Sequence, residues 1–199
     1  MIAWINFASL VIASLFFLYF YVLSVSPAAL EKLTDTGAYR KCGNYRVVAI
    51  LFELITVINY VVYYFYPLPT PLPRTFTWPY WISAVIAGVI LVPSAALMVV
   101  GMVHAGEEAS RPKKEHQMYA GIYKFIRHPQ ATGEVFIWWI IAFFLNSPFL
   151  AVFSFIYIPI FLMMCAAEDH DLVLRFGDDF VSYYQSTGAF WPKRHDSDR

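Results

Sequence analysis

The stretch EVFIWWIIAFFLNSPFLAVFSFIYIPIFLMMCAA, residues 134–167, decides the fold. It is apolar almost throughout, and Asn146-Ser147-Pro148 interrupts it. A serine side chain can accept from the N–H groups that open a helix. Proline suits the first helical turn, where its missing N–H would have no partner. The spacing predicts a helical hairpin, with one helix over 134–146 and a second over 148–167. A spanning helix needs about 20 mainly apolar residues. Both hairpin helices are short by that measure, so one is expected to be tilted or incompletely spanning.

Three more apolar runs lie upstream, at residues 3–25, 46–66 and 80–103. The prediction is an all-α integral membrane protein of about five transmembrane helices. It forms a single domain over residues 1–199, with a C-terminal helical segment beyond the last span. Composition agrees: 59% of residues are hydrophobic and 14% charged, against roughly 25% charged in soluble domains. Mean hydropathy is +0.55. The first run lacks a positive lead and is too long for the apolar part of a signal peptide, so it reads as a retained helix. Pro93 and Pro159 are expected to kink the third and fifth spans. The segment Pro67 to Pro73 is too proline-rich for helix and favours an extended form. Trp78, Tyr80 and Trp81 beside it read as interfacial aromatics.

Basic residues orient the chain. Lys32, Arg40, Lys41 and Arg46 lie in or beside the first loop. Arg111, Lys113, Lys114, Lys124 and Arg127 lie in the third, and Arg175, Lys193, Arg194 and Arg199 in the tail; the second loop has Arg74 alone. With five spans, loops one and three and the tail share the cytoplasmic side, and the N-terminus is outside. The absence of a retention signal points toward a prokaryotic plasma membrane.

Net charge is zero, which leaves no basic footprint for nucleic acid. Two cysteines, Cys42 and Cys165, cannot build a disulfide framework or a zinc site alone. His104, His116, His128 and His170 match no metal-ligand spacing, so no metal is expected. Walker, Gly-x-Gly-x-x-Gly and Gly-x-Ser-x-Gly patterns are missing.

The ionisable chemistry gathers in three cytoplasmic pieces. One is the linker from His104 to Tyr119, with Glu107, Glu108, Glu115 and His116. Another is the polar loop Gly121 to Glu134, in which Arg127-His128-Pro129 stands at the mouth of an apolar helix. The third starts at Glu168-Asp169-His170-Asp171 and runs into an amphipathic stretch, Leu172 to Tyr184, suited to lying on the membrane or covering a pocket. Asp171 and Arg175 are spaced as a surface ion pair worth a few tenths of a kcal/mol. Gly177 can end one helix and Asp178 cap the next. Glu53 and Glu134 sit in or at the edge of apolar runs, where acids are costly and functional by default; Arg46 and Arg127 are possible partners for them.

Together these residues resemble membrane methyltransferases related to isoprenylcysteine carboxyl methyltransferase and phospholipid methyltransferases. The shared pattern is Gly121, Tyr123, Arg127-His128-Pro129, a hairpin, Glu168-Asp169, Phe176-Gly177, Phe180, Tyr183 and Trp191-Pro192. It covers residues 115–192; the first three spans match only as generic apolar helices. The resemblance implies S-adenosylmethionine as cofactor and a lipophilic small molecule or lipid as acceptor. It implies a pocket made by Glu115, His116, Gln117 and Met118 of the linker, by Tyr123, by His128, Pro129, Gln130 and Ala131, and by Glu168 and Asp169. Arg127 and Glu134 are the catalytic candidates. Departures from the family pattern are Ala131 where Tyr is usual, Glu-Asp for Glu-Glu, and Met163-Met164-Cys165 where prenylcysteine enzymes carry Arg. The last points away from a prenylcysteine carboxylate. Membrane sterol and steroid reductases, which use NADPH, have a similar Arg-His-Pro loop followed by Gly-Glu, here Gly133-Glu134. A non-catalytic lipid- or partner-binding protein is the third reading.

Overall fold

The computed structural model describes residues 1–34, 37–109 and 120–193. They form α1 (Ile2–Ser24), α2 (Pro27–Thr34), α3 (Ala38–Phe65), α4 (Tyr80–Ala105), α5 (Pro129–Glu134), α6 (Ile137–Phe144), α7 (Pro148–Phe153), α8 (Tyr157–Phe176) and α9 (Asp178–Ser186). Short 3-10 turns occupy Gly106–Ala109, Gly121–Lys124 and Ser154–Ile156. Among the described residues the one β-type pairing is a bridge between Ile126 and Gly188. The chain is an all-α membrane protein. Four stretches are long and apolar enough to cross a bilayer: α1, α3, α4 and the run Pro148–Phe176.

The expected fourth span is where the structure differs most. Its helix begins at Pro129 and breaks into α5 and α6. The eight residues of α6 rise about 12 Å, against a hydrocarbon core of about 30 Å. It therefore needs α5 in tandem. Helix α3 starts at Ala38, and α8 runs on to Phe176, both beyond their apolar runs. Hydropathy marks where a helix leaves an apolar medium, not where its backbone ladder stops. Pro159 falls in the first turn of α8, just after the Ser154–Ile156 turn. There its missing N–H removes no helical bond. Pro93 lies inside an unbroken α4.

The hairpin turn forms as its residues dictate. Asn146 takes φ +53°, and Ser147 Oγ accepts from Leu150 N at 3.3 Å. Asn146 Oδ1 accepts from Ser83 at 2.6 Å, tying the turn to α4. In the core, Trp138 stacks on Tyr157 with ring centroids 3.9 Å apart, beside Tyr60. Their hydroxyls are paired without water: Tyr157 with Ser14 at 2.8 Å and Tyr60 with Ser154 at 3.1 Å. An unpaired hydroxyl in such a medium would cost several kcal/mol.

Two expected local features are corrected. Asp171 is 1% exposed and accepts from Ala29 N at 2.9 Å, so it fastens the start of α2 to α8; the expected Arg175 charge acts on it, but on a buried carboxylate and not at the surface. Gly177, at φ +58°, both ends α8 and caps α9, leaving Asp178 and Asp179 in the first turn. Carboxylates there favour the helix dipole.

Candidate functional site

The site is built on the loop between α4 and α5. Gly106 turns the chain out of α4 at φ +59°. Gly121 brings it back at φ +58°, where a Cβ would collide with the His104 ring. His104 Nδ1 then accepts from Ile122 N at 3.1 Å. The next residues pair with the segment after α9: Arg127 N donates to Gly188 O at 2.9 Å and His128 N to Ala189 O at 3.0 Å. Pro129 opens α5, and Thr132 Oγ1 donates back to His128 O at 2.6 Å.

Arg127 and His128 converge on the acidic pair of α8. Arg127 donates to both Asp169 oxygens, at 3.4 and 3.2 Å, and to the carbonyls of Tyr184 and Thr187. Its guanidinium also lies over the Tyr184 ring, 3.9 Å from the centroid. His128 places Nε2 3.1 Å from Asp169 Oδ1 and Nδ1 3.2 Å from Glu168 Oε2. Burial opposes charge on this imidazole, but hydrogen bonds to Asp169, Cys165 and Glu168 outweigh it and hold its pKa well above the usual value. Burial, and then the Glu168 charge, raise the Tyr123 hydroxyl, which accepts from Gln130 at 2.8 Å.

Two cavities flank this loop. The polar one has a volume of about 40 Å³ and is lined by Tyr123, His128, Pro129, Gln130, Ala131 and Glu168, all expected there. Tyr21 and Arg46 complete its wall with Arg127 and Ala105. The apolar one, about 840 Å³, lies between α4, the Ile122–Ile126 turn, α5–α6 and the Phe190–Pro192 segment. Successive residues of one loop divide between them: Ile122, Phe125, Ile126 and Thr132 face the apolar cavity, and Tyr123 and Arg127 to Ala131 the polar one.

Three expected residues have particular surroundings. Arg127, expected in catalysis, lines the polar cavity with its guanidinium engaged by Asp169 and by the carbonyls of Tyr184 and Thr187. Asp169 stands behind His128 and lines a cleft of about 390 Å³ with Cys165 and Tyr184 instead of the polar cavity. Glu134 lines neither the polar nor the apolar cavity. It lies on the α5 face turned toward α3, and its hydrogen-bond partner is Glu53, with the Arg46 charge close by.

The expected linker residues Glu115, His116, Gln117 and Met118 lie outside the described residues. Sequence reasoning missed Tyr21 and the Thr187–Ala189 backbone. Neither carries a motif, and their approach is set by packing of distant segments. Arg46 was visible only as a possible partner for an acid.

The donor set of the polar cavity fits adenosylmethionine. Glu168, 30% exposed at its side chain, suits an ammonium or ribose hydroxyl; the Tyr123 hydroxyl already donates to Gly101 O at 3.3 Å and accepts from the Gln130 amide, which leaves the Gln130 carbonyl to meet a ligand. The space these residues bound is small, about 40 Å³, and the linker residues that the resemblance adds to this pocket lie outside the described residues. Among the described residues no group of three or more His, Cys, Asp or Glu is placed to hold a metal. Comparison of the chain with protein-family models, with curated proteins and with solved structures gives no match.

Proposed function

We propose that this chain is an integral membrane methyltransferase that uses adenosylmethionine and modifies a lipophilic, membrane-embedded acceptor. The observation that carries the reading is the two-faced loop Ile122–Thr132, with a small polar cavity behind it and a large apolar cavity before it. Such a partition suits an enzyme that joins a water-soluble cofactor to a lipid-side substrate. When bound, adenosylmethionine supplies an electrophilic methyl group on a sulfonium centre.

The protein's own residues have distinct parts in this scheme. Glu168 and Gln130 hold the polar ligand, and Tyr123 fixes the Gln130 amide. Arg127 and His128, clamped to Asp169, keep the loop at fixed height against α8. The apolar wall excludes water and orients the acceptor, so catalysis is mostly proximity and alignment. The basic residues of the first and third loops and the tail support a cytoplasmic polar cavity.

The reductase reading leans on Gly133-Glu134. Both have packing explanations here: Gly133 lets α5 touch α4, where a Cβ would collide with the Ser94 carbonyl, and Glu134 meets Glu53. Titrating the purified chain with adenosylmethionine and with NADPH tests the proposal. Saturable binding of adenosylmethionine is expected. Binding of NADPH alone would sink it, and binding of neither would leave a lipid-binding protein.

A further inference from the structure

The lining of the apolar cavity bears on the chemistry of its occupant. Among the described residues no Asp, Glu, Lys, Arg or His lines this space. Two hydroxyls do, Ser94 and Thr132, and that of Thr132 is already given to the His128 carbonyl. Arg127 and His128 turn to the opposite side, where Asp169 and Glu168 hold them, and Lys124 is exposed and lines neither cavity. At the rim, Lys193 follows Pro192 and gives its ammonium to the carbonyls of Tyr184 and Gln185.

An ion entering such a space sheds its hydration and meets no counter-charge among the described residues, which is strongly unfavourable. A neutral polar end without a partner loses far less. An uncharged chain loses nothing comparable and gains from burial. The space, about 840 Å³, falls in the range of single small-molecule sites. Its edge is an exposed apolar rim, with Phe125, Phe155 and Trp191 all more than half exposed.

We propose that this cavity takes an uncharged lipophile, one prenyl or alkyl chain ending in a neutral thiol, phenol or alcohol, and rejects chains that end in carboxylate, phosphate or ammonium. Naming that lipophile the methyl acceptor rests on the methyltransferase reading; the preference for an uncharged occupant rests on the lining alone.

Photo-crosslinking of the full chain in nanodiscs tests this. Three probes share one diazirine-bearing farnesyl chain and end in a thiol, a carboxylate or an ammonium. The thiol probe is expected to label peptides carrying Phe136 and Trp139 at least ~10-fold more efficiently than either charged probe, a difference of about 1.4 kcal/mol. Equal or greater labelling of those peptides by a charged probe overturns the proposal, and so does labelling by none. Leu97→Arg, which sets a guanidinium in the wall, is expected to raise labelling by the carboxylate probe. If that variant fails to fold, the comparison of probes on the parent chain still decides. A separate assay follows radiolabelled methyl from adenosylmethionine. Selective thiol labelling without transfer leaves the cavity preference standing and removes the methyltransferase reading. Transfer with unselective labelling does the reverse.

Discussion

Arg127 and Asp169 meet side-on, with Nε 3.4 Å from Oδ1 and Nη2 3.2 Å from Oδ2. Their side chains are 7% and 14% exposed, so little water is available to either charge. Removing one partner of a buried pair costs about 3–5 kcal/mol. Asp169→Ala is expected to lose stability of that order in a denaturant titration. It should also loosen the segment after Tyr184, whose carbonyls Arg127 holds, so that limited proteolysis cuts there. A variant as stable as the parent chain would show that the pair contributes nothing.

His128 makes stability depend on pH in a defined direction. Burial works against its charge, yet its hydrogen bonds raise its folded pKa above the ordinary value of about 6.5. A raised pKa means that folding favours the protonated form. The stabilisation is complete below about pH 6.5 and is lost as pH rises through the folded-state value. Melting temperature should fall above about pH 6.5, and His128→Gln should flatten that fall. A parent chain whose melting does not decline with alkaline pH contradicts this account.

Glu168 belongs to the polar cavity and keeps part of its surface free. Glu168→Gln preserves its size and removes its charge. Calorimetric titration is expected to show adenosylmethionine affinity reduced about 10-fold or more, equivalent to about 1.4 kcal/mol, with the fold intact by circular dichroism. Unchanged affinity would take Glu168 out of the cofactor site.

Gly133 and Gly101 both let α5 approach α4, but they should differ in tolerance. A Cβ on Gly133 meets backbone, colliding with the Ser94 carbonyl and lying 2.9 Å from Met98 N. A Cβ on Gly101 comes to 2.7 Å from Gln130 Cγ, 3.1 Å from Gln130 N and 3.2 Å from Pro129 Cγ, a looser approach than at Gly133. Overpacking costs about 1–3 kcal/mol. Gly133→Ala is expected at or above the top of that range and Gly101→Ala near the bottom, read from thermal unfolding. The reverse order would mean that the helices separate easily.

Four of the five expected spans and the hairpin turn were legible because hydropathy and Asn146-Ser147-Pro148 are local signals. The reach of α8 was not, because Glu168, Asp169 and Asp171 end an apolar run without ending a helix. Most of the polar-cavity wall could be named from the Arg-His-Pro loop and Glu168. What those residues do there could not, since Arg127 finds its partners 42, 57 and 60 positions away. The meeting of Glu53 with Glu134 has the same character: two isolated acids in separate runs, joined only where α5 comes near α3.

The alternation along Ile122, Tyr123, Ile126 and Arg127 has a consequence for how such a protein can diverge. Neighbouring codons specify opposite chambers. Changes at Ile122, Phe125 or Thr132 can reshape one chamber while Tyr123, Gln130 and Glu168 stay as they are. On the proposed function, a lineage carrying this loop can change the shape of the apolar chamber one substitution at a time, leaving the residues on the other side of the same few peptide bonds as they are.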